Sequence, residues 1–305
     1  MKQKLRKLKN TRFIQLIIRI GCIPMFITYY IHIKRIDLNV KNAEETINYL
    51  INNKVSVGRF GDGEFNILYS KKPIGFQKYS DELSRALAQV RTTEKFKIAI
   101  PYAYKTTRPY KFLIKCFWWR YVTFNNRYIL EFKKQHEDDY LDTNFSRVIT
   151  ELADKKEVLI LTDKVKMIWE NRNVLIVEGE FTRFGVNNDL LSNTKSVKRI
   201  IAPAEDAFNK FEEIYKEIDS TAETMEDPLI LISLGPTATI LAYKLSNQFQ
   251  TIDIGHFDLQ YQYLEHGYYH KVRIKDRYDN ESVNGDKVAD IHSSKYEKEI
   301  VTIIR

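Results

Sequence analysis

Residues 228–248 read "PLILISLGPTATILAYKLSNQ". Leu229–Ile232 are apolar without alternation, the pattern of a strand covered on both faces. Gly235 ends the run and Pro236 follows at the first position of a helix, where a missing N–H leaves nothing unsatisfied. Apolar residues at helical spacing come next. A buried strand feeding directly into a helix is the repeating unit of α/β proteins. Reading outward, the same alternation recurs. Strands are expected over 54–58, 96–101, 173–180, 196–203 and 251–255, and helices over 42–53, 80–93, 204–218 and most of 107–153. The fold class is α/β, with a mostly parallel sheet flanked by helices.

A chain of 305 residues, 44% hydrophobic and 13% aromatic, can bury a sizeable core. Two distant cysteines, Cys22 and Cys116, offer no disulfide framework and no metal-ligand spacing. The formal charge of +8 is local. Residues 1–36 carry nine of the 48 Lys and Arg and no acid, so the remainder holds 39 basic residues against 40 acidic ones. A near-neutral body lacks the broad basic field of a nucleic-acid binder, so no nucleic acid is expected as partner. Within that basic segment, 13–33 ("FIQLIIRIGCIPMFITYYIHI") is strongly apolar but interrupted by Arg19 and Pro24. A buried charge makes a bilayer span costly, and a helix lying on an anionic membrane surface is the favoured expectation. The plainer reading packs this helix on the body or on another subunit, which leaves a homo-oligomer open.

In parallel sheets, ligands sit beyond the carboxyl ends of the strands, and the unusual chemistry of this chain falls in the loops there. "VSVGRFGDGEF" (55–65) places Asp62 and Glu64 on a glycine-rich strand exit. If that exit is extended, the two carboxylates point to one side and call for a cation between them, a hard divalent ion such as Mg²⁺ or Mn²⁺. Gly61 and Gly63 let backbone approach a bulky anion, and Arg59 offers donors to a phosphate or sugar hydroxyl. "SLGPTATI" (233–240) sets Gly235, Thr237 and Thr239 at a helix start, where free N–H groups favour an anion. "EGEFTRFGVNNDLL" (178–191) supplies Glu180, Arg183 and Asn188, suited to sugar hydroxyls or to a general base. "DIGHFDLQYQYLEHGYYH" (253–270) puts His256 and Asp258 at a strand end, the histidine able to ligate a metal or shuttle a proton. Each loop also has a structural reading, as an acidic turn, a capped βα-turn, a capped surface loop or a core histidine.

With these four loops assembled, over roughly residues 40–270, the sequence resembles the GT-D-type bacterial glycosyltransferases. The stretches "SVGRFGDGEF", "EGEFTRFGVNNDLL", "LILISLGPTATILAYKL" and "IDIGHFDLQY" carry the resemblance. It implies a single Rossmann-like domain and a nucleotide-sugar donor, a UDP-sugar by analogy. It also implies a divalent metal held at a D-x-E motif, here Asp62 and Glu64. The "GPTAT" turn would lie near the nucleotide and His256 beside the metal and diphosphate. The family often has acids four and six positions after that histidine. This chain has Gln260 and Gln262 there, so the role of base would pass to Asp258 or Glu180. On this reading residues 1–37 are the basic, apolar segment, 38–275 the catalytic domain and 276–305 a charged extension. The expected activity is transfer of a sugar to a glycan or lipid-linked acceptor in surface polysaccharide or glycoprotein synthesis. Its expected place is the cytoplasm, at the inner face of the membrane. Two other classes stay open: a metal-dependent phosphoester or nucleotidyl enzyme, and a non-catalytic membrane-associated assembly protein.

Overall fold

The computed structural model describes residues 12–136, 139–279, 285 and 287–305. The basic cluster from Lys2 to Lys9 lies outside the described residues. Eight strands run through the chain: β1 (Ser56–Arg59), β2 (Phe96–Ile100), β3 (Leu141–Asp142), β4 (Asn173–Gly179), β5 (Ser196–Ala202), β6 (Pro228–Ser233), β7 (Gln250–Asp253) and β8 (Ile300–Ile303). They form one sheet in the order β3-β2-β1-β7-β6-β4-β5-β8, and every neighbouring pair is parallel. β4 and β6 are buried almost throughout, as expected of continuous apolar runs at the sheet centre. β1 connects away toward β2, whereas its other neighbour β7 is reached from β6. The carboxyl ends of β1, β7 and β6 therefore meet at a crevice between diverging connections, where such sheets bind ligands.

The helices are α1 (Arg12–Ile36), α2 (Ala43–Asn53), α3 (Asp62–Ser70), α4 (Asp81–Ala88), α5 (Phe112–Gln135), α6 (Val148–Glu151), α7 (Lys155–Lys166), α8 (Phe211–Glu223), α9 (Pro236–Leu245), α10 (Phe257–Glu265) and α11 (Ser294–Glu299). Their starts follow side-chain chemistry. Asn42 and Glu45 form a reciprocal cap on α2. Ser80 accepts from Leu83 N–H at the start of α4. Pro236 opens α9. α1 packs along α5 and is anchored by Tyr29, fully buried, whose hydroxyl donates to the Ala103 carbonyl at 2.8 Å. Among the described residues, no helix is long and apolar enough to cross a membrane.

Three expected elements differ. The helix expected over 204–218 begins only at Phe211, after a 3₁₀ turn at Ala207–Lys210. Asp206 adopts a left-handed φ of 52°, and its carboxylate accepts from Lys78 N–H, so it pins a neighbouring loop instead of continuing a helix. Residues 107–153 are not one helical block. After α5 the chain makes the two-residue β3, and a 3₁₀ turn at Thr143–Ser146 capped by Asp142. The helix expected over 80–93 stops at Ala88. The stretch beyond residue 275 contributes β8, which pairs with β5 and extends the sheet.

Candidate active site

The exits of β1, β6 and β7 line one cavity of about 690 Å³. From the β1 exit come Arg59, Gly61, Asp62, Gly63 and Glu64; from β6 Ser233 and Gly235; from β7 Gly255 and His256. These are residues singled out in the sequence, with Ser233 and Gly255 added. The structure brings them together because three neighbouring parallel strands end on the same side.

The geometry at the D-x-E stretch is not the extended one anticipated. Residue 62 is the first of α3, and the Glu64 carboxylate turns back to accept the Gly61 N–H at 2.8 Å. Residues two apart on a helix do not face each other, so the two carboxylates diverge even though both line the cavity. The signal was half of a capping box: an acid three residues past the cap, followed by apolar residues at helical spacing. Asp62 is exposed at the helix start. Burial, reinforced by nearby Asp253, pushes the Glu64 carboxyl up to about 7. Burial, with Arg147 adding, pushes His256 down to about 4, so its imidazole is neutral and has a lone pair to offer.

Arg59 is held, not loose. Its Nε donates to Asp253 at 3.0 Å and its Nη1 to Ser146 at 3.0 Å. Asp253 also accepts from the Thr239 hydroxyl at 3.0 Å, and that hydroxyl oxygen accepts from the Arg59 N–H at 3.2 Å, so β1, β7 and α9 are laced together beneath the cavity. Gly255 makes room for this guanidinium: its φ is +54°, and a Cβ there would lie 2.1 Å from Arg59 Nη2. Gly235 does the same for Phe76, whose ring would meet a Cβ at 2.3 Å. At the β6–α9 turn the hydroxyls of Ser233 and Thr237 are buried without a hydrogen-bond partner. Two orphaned hydroxyls beside a helix N-terminus are an arrangement that an anion completes.

Glu180, Arg183, Asn188, Asp258 and the fully buried Thr237 and Thr239 do not line this cavity. Glu180 is exposed just past β4. Arg183 donates to the carbonyls of Asp276 and Ala289, tying down the C-terminal stretch. Asn188 accepts from Leu190 N–H. Asp258 is buried and uses both oxygens, one on Gly185 N–H and one on Arg277 Nε at 3.0 Å. A carboxylate so engaged is not placed to accept a substrate proton. The cavity also receives side chains the sequence reading did not single out: Phe76, Phe117, Trp118, Arg147, Glu151 and Lys271. Burial and the neighbouring Arg147 push the Lys271 ammonium down to about 8. None of these six belongs to a motif; only the fold brings them to the crevice.

A metal has a limited protein donor set here. Among the described residues no three His, Cys, Asp or Glu side chains group closely enough to enclose an ion. Asp62, Glu64 and His256 line the same cavity without forming such a group, so an ion here would have to draw most of its ligands from phosphate and water, as Mg²⁺ does at nucleotide sites.

Comparison with known proteins agrees with this arrangement. The chain is 32% identical over 284 residues to Glycosyltransferase GlyD of Streptococcus pneumoniae, covering 88% of this chain and 33% of that protein. It is 31% identical over 254 residues to the probable glycosyl transferase Gly of Streptococcus gordonii, covering 79% of this chain and 35% of that one. It thus spans about a third of the length of these curated relatives. A solved structure of the highly conserved domain of unknown function 1792, described as having a distinct glycosyltransferase fold, superposes with a TM-score of 0.84 at 30% identity, covering 91% of this chain and all of that one. A glycosyltransferase of the same domain type from Streptococcus sanguinis gives 0.80 at 29% identity, covering 88% of this chain and all of that one. The family model for the glycosyltransferase GT-D fold matches residues 57–282, from β1 past the last of the cavity residues, and this chain belongs to that family.

Proposed function

We propose that the protein transfers a sugar from a nucleotide-sugar donor, a UDP-sugar, to a glycan or lipid-linked acceptor, with a divalent metal at the diphosphate. The observation that carries this is the pairing, in one cavity, of the orphaned Ser233 hydroxyl at the entry to α9 with the carboxylates of α3. The donor's diphosphate would dock at Gly235 and Ser233, with the dipole of α9 and its free N–H groups favouring the negative charge. Arg59, fixed by Asp253 and Ser146, would present its remaining donors to the same anion. Asp62, with Glu64 and His256, would hold Mn²⁺ or Mg²⁺. When bound, such an ion neutralises charge on a departing diphosphate. Phe76, seated over Gly235, would give the nucleoside an aromatic face.

The acceptor reading draws on the α1–α5 pair. The described side chains of these two helices include seven Lys and Arg against one Glu. They also expose large apolar side chains, among them Ile27 at 62%, Ile31 at 61% and Phe124 at 64%. Phe117, exposed on α5, lines the cavity as well. A cationic, apolar surface reaching the cavity mouth suits an anionic bilayer carrying a lipid-linked acceptor, at the inner face of the cell membrane. Flotation with phosphatidylglycerol vesicles should carry the protein upward, and neutral vesicles should not; equal behaviour would remove the membrane from the proposal.

Turnover is tested by incubating the protein with UDP-glucose, UDP-galactose and UDP-N-acetylglucosamine in Mn²⁺ and following UDP release. Asp62→Ala should lower turnover about 10²- to 10³-fold, the loss typical when a transition-state charge partner is removed, and EDTA should do likewise. No UDP release by the unaltered protein, together with no metal-dependent UDP binding, would refute the reading. Release of inorganic phosphate or pyrophosphate without sugar transfer would favour a phosphoester or nucleotidyl enzyme.

A further inference from the structure

Two polar atoms on the α5–α6 side of the cavity have no protein partner. Glu151, 7% exposed, binds Arg147 Nε through Oε1 at 3.0 Å and leaves Oε2 buried without a hydrogen bond. Trp118, 5% exposed, leaves its indole Nε1–H buried in the same condition. Both residues line the cavity, with Phe117 and Ile114 beside them. A buried group without a partner is costly, and a ligand that completes it recovers that cost. The unmet demands are complementary: a carboxylate oxygen seeks a donor, and an indole N–H seeks an acceptor. Hydroxyl groups supply both, and an aromatic wall around them suits the face of a sugar ring.

The carboxylate is held in place. Thr150 donates from its backbone N–H and its hydroxyl to Gln260 Oε1, at 3.0 and 2.9 Å. Lys111 Nζ donates to the Ile149 carbonyl at 2.9 Å. α6 has only four residues, and these bonds fix its last one against the cavity.

We infer that Glu151 is the general base of the transfer and that Trp118 hydrogen-bonds the acceptor, a sugar hydroxyl, in this part of the cavity. This rests on the glycosyltransferase reading above. In the step, the acceptor O–H bond breaks and its proton passes to Glu151 Oε2. The acceptor oxygen forms the new bond to the anomeric carbon. The bond from that carbon to the diphosphate oxygen breaks, and its electron pair leaves with the nucleoside diphosphate. The course is a single displacement with inversion. Burial, opposed by Arg147, holds the Glu151 carboxyl above the usual range, the direction that makes a carboxylate a better base.

The experiment uses the full chain with Mn²⁺, the three UDP-sugars above and water as acceptor. Glu151→Gln should lower turnover about 10²- to 10⁴-fold, the usual range for a general base, while UDP affinity by calorimetry stays within about twofold. Trp118→Phe should lower turnover severalfold with UDP affinity unchanged. Turnover by Glu151→Gln within threefold of the unaltered protein overturns the inference and leaves the glycosyltransferase reading standing. Parallel loss of UDP binding in a folded Glu151→Gln protein also overturns it, by moving Glu151 to the donor side. The unaltered protein gives an independent readout: NMR of the released sugar should show the inverted anomer, and a retained one overturns the inference. No turnover at all by the unaltered protein fails the function reading itself.

Discussion

The exits of β1 and β4 look alike in sequence: each leaves a buried strand into glycines, an arginine and several acids. In the fold they do opposite things. Around the β4 exit the buried charges neutralise one another, while Glu180 stays exposed. Glu178 pairs with Arg199 at 2.8 Å, and Arg199 pairs with Glu299 at 2.8 Å. Asp258 pairs with Arg277, and Arg277 with Asp276. At the β1 exit only Arg59 is paired, and Asp62, Glu64 and the neighbouring strand exits open onto a cavity. One polar exit is internal bracing and the other is a candidate reaction site. Motif chemistry alone does not distinguish them; what separates them is whether each charge has a fixed opposite beside it.

This contrast can be broken most directly at Asp258. Asp258→Ala would remove the buried carboxylate on Arg277 Nε and leave the more exposed Asp276 as that guanidinium's remaining acid; breaking a buried pair costs about 3–5 kcal/mol, and the lower end of that range is expected here. Urea unfolding should show that loss. A change below about 1 kcal/mol, ordinary for surface substitutions, would mean the β4 exit is not the closed region described.

A smaller effect is expected at Gly255→Ala, where the new methyl meets Arg59 and the φ of +54° is unfavourable for alanine. Strain of this kind costs about 1–3 kcal/mol, and displacement of Arg59 should weaken UDP binding about tenfold, a loss of about 1.4 kcal/mol. Unchanged stability together with unchanged UDP affinity would show that the guanidinium position does not matter.

The last effect shows only as pH changes, and concerns a buried carboxylate with neither a cavity role in this site nor a paired cation among the described ion pairs. Asp142 accepts from the N–H groups of Tyr102 and Asn144, and burial pushes its carboxyl from 3.8 up to about 7. Between those values the folded chain keeps a proton that the unfolded chain has lost. Its contribution to stability is complete below about 3.8 and is lost as pH rises through about 7. Asparagine keeps the accepting oxygen and has no charge to bury. The stability gap between Asp142→Asn and the unaltered protein should therefore widen in the variant's favour from pH 4 to pH 8, by a few kcal/mol, at about 1.4 kcal/mol per unit of pKa difference. Parallel stability curves would mean that Asp142 is ionised in the fold.

The parallel sheet was readable because buried strands such as "LILI" at 229–232 have no polar alternation to mislead. The donor side of the site was readable for a related reason: a strand exit is a local event, and Asp62, Gly235 and His256 each follow their strand within a few residues. β3 was not readable, since two residues have no period. Arg147, Glu151 and Lys271 were not readable either. They come from a short helix and an irregular stretch, and their nearness to Asp62 depends on how those pieces pack. At 62 and 64 the flanking Gly61 and Gly63 obscure the helix start, so the sequence leaves an extended exit open even though Glu64 carries the capping signal.

β8 sits outside the sheet's central crevice, yet it has a practical consequence. It covers one edge of β5, and Glu299 just before it reaches back to Arg199. A version of the chain trimmed to end at 282, where the family match stops, would bare a strand edge and take away one of the two carboxylates on buried Arg199. Such a fragment should aggregate on expression, because unpaired edges recruit other strands. The last dozen residues are thus a seal on the domain, and shortened versions intended for crystals or assays should keep them.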